Sequence, residues 1–195
     1  MKKILALFSL LAAGIMTLSF AGCVEEQEAP GKYSVDASLS CYIAAMGGIE
    51  FGEPMLESAS YTLNEDGSME LTLSLVKSSV TIYSITCYTF VDPAPDSGET
   101  PEEGQPENGT IGYYDKDGNL VTEGVSYTLS DDTAPNPAGE EVHYVDSITF
   151  PVEEKTDTYS LTLFINSNVM GTQFSNSGYA ATLTVDWDSM QEAAA

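Results

Sequence analysis

The sequence predicts an all-β fold: an antiparallel sandwich of two sheets, built from about eight strands with one short helical lip. Three observations carry this expectation. Apolar residues recur at every second position through most of the chain, turn-forming residues separate these runs, and helical periodicity is nearly absent. No repeat of fixed period is visible, which argues against a propeller or solenoid.

The first strand begins at Tyr33, with Val35, Ala37, Leu39, Cys41 and Ile43 on one face and Ser and Asp between them. Residues 42–56 resist a strand reading, and Ile43 to Phe51 is expected to form one helical turn and a loop. Ala59, Tyr61 and Leu63 open a second strand. Asn64-Glu65-Asp66-Gly67 turns the chain, and Met69, Leu71, Leu73 and Leu75 then alternate with Glu, Thr and Ser. Asp-Gly between two alternating runs is a strong hairpin signal. Thr81 to Val91, rich in Ile, Tyr, Thr and Phe, suits another strand. Shorter runs follow at 110–114, 120–121 and 125–129, and longer ones at 142–152, 158–165 and 179–187.

Two segments break the pattern. Residues 92–109 are dominated by Pro, Glu and Gly and cannot contribute to a core, so they are expected to be an inserted loop. Residues 130–141 are expected to be a second acidic loop, and 189–195 a frayed or briefly helical tail.

The N-terminus has the layout of a secretory signal: Lys2 and Lys3, an apolar run from Ile4 to Phe20, then Ala21-Gly22-Cys23. The run is short for a spanning helix, and acidic sequence follows at once. The segment resembles the lipobox of bacterial lipoproteins. That resemblance implies that residues 1–22 are removed and that Cys23 is lipidated, at the head of a tether of residues 23–32. The chain is then extracytoplasmic and held to the membrane by its lipid. Two acyl chains, at about 0.8 kcal/mol per buried methylene, hold a protein stably without a spanning helix. A domain over residues 33–188 follows.

Without its first 22 residues the chain keeps four cations, Lys32, Lys77, Lys116 and Lys155, against 30 Asp and Glu, a net charge of −26. Nucleic-acid binding needs cationic side chains to displace phosphate counterions, so that class is rejected. Docking to anionic lipid is disfavoured for the same reason.

With Cys23 lipidated, Cys41 and Cys87 remain, both on apolar-facing strand positions. A cross-sheet disulfide and two buried thiols are equally open. His143 is the single histidine, so a zinc site of His and Cys is improbable. Asp115-Lys116-Asp117-Gly118-Asn119 has its glycine at position four and fits a hairpin turn better than a calcium loop. No nucleophile, base and orienting group can be assembled, and an enzyme is not expected.

From Tyr33 onward the order of features resembles the near-iron-transporter (NEAT) domain, an immunoglobulin-like sandwich that binds haem or haemoproteins. Ala45-Met46-Gly47-Gly48-Ile49-Glu50-Phe51 stands where that family has its helical lip. Asp66-Gly67 stands at its hairpin, and Leu161 to Ile165, Asn168 to Phe174 and Tyr179 to Trp187 stand at its closing hairpin. The resemblance implies a ligand-binding module with a slot formed by Met46, Phe51, Met170, Phe174 and Tyr179, for haem or another flat apolar ligand. In the family's Tyr-x-x-x-Tyr pair the first tyrosine coordinates iron. Aligning Tyr179 with the second places Ser175 at the first. The alternative is a protein-interaction or adhesion module without a small-molecule ligand.

Overall fold

The computed structural model describes residues 28–43, 49–50, 55–82, 85–93, 111–135, 139–169, 172–173 and 179–193. Fourteen strands and no helix occur among them. In chain order they are β1 (Gly31–Ile43), β2 (Ile49–Glu50), β3 (Leu56–Leu63), β4 (Met69–Leu75), β5 (Ser78–Ile82), β6 (Ile85–Val91) and β7 (Gly112–Tyr114). Then follow β8 (Leu120–Val121), β9 (Ser126–Pro135), β10 (Glu141–Val152), β11 (Thr158–Leu163), β12 (Ile165–Val169), β13 (Thr172–Gln173) and β14 (Tyr179–Glu192). The larger sheet runs β8-β7-β11-β14-β1-β3-β4-β10-β9, with β2 added to β1; the smaller runs β13-β12-β6-β5. The fold is an all-β antiparallel sandwich. It has more than the expected eight strands because two-residue ladders such as β2 and β13 are too short to leave a period-two signature.

The sandwich closes by folding the larger sheet over. Strands β7 and β10 stand six steps apart along it, about 29 Å in a flat sheet. Yet the rings of Tyr113 on β7 and Phe150 on β10 lie 5.6 Å apart, and Tyr159 on β11 reaches Phe150 at 5.9 Å. Strand β1 sits at the bend. Gly31 to Val35 pair with β3 on one side, and Tyr33 to Cys41 pair with β14 on the other. A register shift between Ser34 and Asp36 interrupts the β1–β14 ladder there. Such irregularities bend and twist a strand locally.

The alternating faces pack inward as patterned. Leu71, Leu73 and Leu75 of β4, Ile148, Phe150 and Val152 of β10, and Ala181, Leu183 and Val185 of β14 are all buried. They share one core with Val35, Leu39 and Cys41 of β1. At Phe164 the chain passes from β11 in the larger sheet to β12 in the smaller; its carbonyl accepts the amide of Asp92 at 2.8 Å. Ile165 and Val91 carry the smaller sheet onto the main core. A satellite cluster of Phe90, Ala134 and Tyr144 joins β6 to β9 and β10.

Proline and glycine fall where the backbone needs them. Pro151 pairs with Glu70 of β4, but β9 has already ended opposite Thr149, so the missing amide breaks no ladder on that side. Gly112 lies so close to β8 that a Cβ there would stand 2.7 Å from the Val121 carbonyl oxygen.

Four expectations are corrected. Within the segment 130–141, residues 130–135 are strand and not loop: β9 runs to Pro135, which pairs with Glu141. An edge strand tolerates Asp131, Asp132 and Pro135, which elsewhere read as loop residues. The tail is strand through Glu192, which pairs with Tyr33. Gly31 and Lys32 belong to β1 and not to the tether, because Leu63 and Thr62 of β3 pair with them. Within the expected helical lip, Ile49 and Glu50 form β2 against Ile43 and Tyr42, where β1 supplies a ladder for them; its other residues, 45–48 and 51, lie outside the described residues. The insertion 92–109 lies outside them from residue 94 onward.

If Phe150 is the seam between the folded halves, Phe150→Ala should cost about 3–5 kcal/mol in denaturant unfolding. A loss below about 1 kcal/mol would mean that the seam is not closed by this ring.

Candidate functional site

The five slot residues suggested by the sequence fall at one end of the sandwich or outside the described residues. Met46, Phe51, Met170 and Phe174 are outside. Tyr179 opens β14 and pairs with Leu163, the last residue of β11. Nearby, Cys41 pairs with Ala181, and β1 then continues to Ile43, which pairs with Ile49 of β2. The backbone therefore gathers the end of β1, strand β2 and the start of β14 at one end, called here the distal end. Cys41 is buried there, its thiol 3.7 Å from the Ala180 carbonyl oxygen. Cys87 lies on β6 in the smaller sheet; its side chain is outside the description. Residues 1–27, with the expected signal and Cys23, are outside it as well.

The opposite end is better defined, and it is built around Lys155. The turn after β10 brings the Lys155 ammonium over two rings, 4.5 Å from the centre of Tyr61 and 5.0 Å from that of Trp187. Those rings meet edge to face at 5.4 Å. Trp187 is held by its indole N–H, which donates to the Thr156 carbonyl at 2.8 Å. The ammonium also pairs with the carboxylate of Glu28 and lies 3.6 Å from the Met190 sulfur. Three segments distant in sequence thus converge on one cation. Stacking over two aromatic faces adds to an ion pair that exposure alone would leave weak.

Tyr61 is buried, with the Glu28 carboxylate beside it. Burial first, then the neighbouring Glu28 carboxylate, push its phenol up to about 12. Sequence reasoning placed Tyr61 and Trp187 on inward faces but did not couple them to Lys155. An ion pair across 127 residues leaves no local signal.

Beside this box lies an open groove of about 200 Å³, lined by Tyr113, Tyr114, Lys116, Glu153 and Tyr159 among others. It is smaller than pockets that enclose drug-sized ligands. One of its three tyrosine hydroxyls is committed to the fold: Tyr159 accepts from the Thr156 amide and donates to the Glu154 carbonyl, both at 3.0 Å. Tyr113 is raised by burial and by Glu153 and Asp115.

No family model, curated protein or solved structure matches this chain.

The remaining candidates resolve into structural roles. Asp115 accepts the amides of Asp117 and Asn119 at 2.9 and 2.8 Å, which holds its carboxyl below the usual range. With Gly118 at φ 81°, that segment is a hairpin turn joining β7 and β8. His143 is exposed on β10 and donates through Nδ1 to the Ser130 carbonyl at 2.9 Å. Among the described residues no three metal-ligating side chains gather.

The raised Tyr61 phenol fixes a pH dependence. The folded state keeps a proton that the unfolded chain loses, so stability is complete below the ordinary tyrosine value of 10.0 and is lost as pH rises through about 12. Urea midpoints measured across that window should fall, and Tyr61→Phe should reduce the fall. An unchanged slope in the variant would mean that Tyr61 is not the titrating group.

Proposed function

We propose that this chain is a lipid-anchored protein of the extracytoplasmic membrane surface whose sandwich acts as a non-catalytic ligand-binding module, with haem or another flat apolar ligand as its cargo. The anchor rests on the signal-like leader and Cys23. The observation that best supports a binding slot is the gathering of β2, the end of β1 and the start of β14 at the distal end. The two chain segments that resemble the lip and closing hairpin of a near-iron-transporter domain would meet there. Ser175, where that family has its coordinating tyrosine, removes the phenolate class of axial ligand, so a haem held here would take another ligand or none.

One observation favours the alternative, a protein-interaction module. Tyr127 and Leu129 on the edge strand β9 are the large apolar side chains left most exposed among the described residues, at 44% and 48%. An open strand edge is a template for pairing with another chain.

Titrating the mature chain with hemin separates the two readings. A saturable shift of the Soret band at micromolar protein is the expected outcome. No shift removes haem as cargo and leaves the edge-strand reading.

A further inference from the structure

We propose that Lys155 straps the tether to the sandwich, so that the protein stands on its membrane with the Lys155 end down and the distal end outward. This rests on the lipid-anchor reading of Cys23.

The tether's length carries the first part of the argument. Strand β1 begins at Gly31, eight residues beyond Cys23. A link of that length spans about 27 Å when extended and would let the body tumble. The contact between Lys155 and Glu28 fixes the chain three residues earlier. Only five residue steps then separate the anchor from a point on the folded body, about 17 Å at full extension. Glu28 is held by the Lys155 ammonium. The ammonium is itself fixed over Tyr61 and Trp187, so the strap is attached to the core and not to a loose loop. Tyr33 adds a further hold, its hydroxyl donating to the Ala29 carbonyl at 2.6 Å.

The topology sets the direction. Glu28 lies beside the start of β1, and the β3–β4 turn containing Glu65 is at the same end, because Gly31 pairs with Leu63 and Leu63 with Met69. Val152, which precedes the Lys155 turn, also pairs with Met69. The β9–β10 turn containing Glu140 is at the other end, where Pro135 pairs with Glu141. The twelve residues of β10 separate the two turns by about 36 Å.

Charge keeps the body from lying down. Membrane surfaces rich in anionic lipid hold clusters of Lys and Arg. Past Cys23 this chain has four lysines against 30 carboxylates, and two of those lysines, Lys77 and Lys155, are already paired with Asp132 and Glu28. Its sides are repelled by such a surface, and the short strap leaves the upright posture.

The test uses the full lipidated protein in phosphatidylcholine–phosphatidylglycerol vesicles carrying a lipid-bound acceptor. A fluorophore is placed at Glu65 or at Glu140 through a non-canonical amino acid. Energy transfer should be at least about threefold greater from Glu65, given a separation near 36 Å. Glu28→Ala, on the tether and outside the core, should bring the two signals to near equality, and Lys155→Met should do the same. Equal transfer in the unmodified sequence, or an unchanged ratio in Glu28→Ala, would falsify the strap. The tryptic peptide from Cys23 to Lys32 reports the anchor separately by mass: without lipid on it, the anchor reading fails and the posture with it, whereas a lipidated peptide with equal transfer removes the posture alone.

Discussion

The inner face of a nine-strand antiparallel ladder cannot be hidden while the ladder stays flat, and β1 is where this one turns back on itself. Its first residues belong to one layer through β3, and nearly its whole length belongs to the other through β14. That shared membership lets Phe150 on β10 meet Tyr113 and Tyr159 from strands that are far away along the ladder. A separate small sheet then covers the distal part of the core through Val91 and Ile165. Much else follows from the turn at β1. It brings Tyr61 of β3 and Trp187 of β14 within 5.4 Å, and their edge-to-face pair makes the platform on which Lys155 rests.

Scarce positive charge is used structurally. Two of the four lysines beyond Cys23 sit over aromatic rings and against acids, at opposite ends of the molecule. Lys77 joins the end of β4 to the edge strand β9, through Asp132 at 2.5 Å and the Thr133 carbonyl at 2.8 Å, with its ammonium 5.8 Å from the Tyr144 ring. Lys155 joins the segment before β1 to strand β14. Exposed ion pairs contribute little in water, and what distinguishes these is the apolar surface covered by their stems and rings. Against a surplus of carboxylates, each lysine holds strands that hydrogen-bond ladders do not connect directly.

The inward faces were legible because period-two alternation reports directly which side of a strand is buried. Leu71, Leu73 and Leu75, and Leu183 with Val185, lie where that rule puts them. The Asp66-Gly67 and Gly118 turns were legible because glycine at positive φ is the local requirement of such hairpins. The second half of β9 was hidden by Asp131, Asp132 and Pro135, which an edge strand accepts and a central one does not. The end of β14 was hidden because Asp188 to Glu192 lack an alternating apolar face; Gln191 and Glu192 pair with Ser34 and Tyr33 of β1, a ladder that only the tertiary fold provides. The Lys155 box was invisible for the same reason. Of the proposed slot, the sequence placed Tyr179 on a strand, and the structure pairs its backbone with Leu163; the other four residues lie outside what is described.

The most direct measurement of the folded-over sheet is the nuclear Overhauser spectrum of the aromatic protons. A ladder turned back at β1 predicts cross-peaks from the Phe150 ring to both Tyr113 and Tyr159. A spectrum in which Tyr113 sees only its ladder neighbours on β8 and β11, and Phe150 only those on β4 and β9, would contradict it.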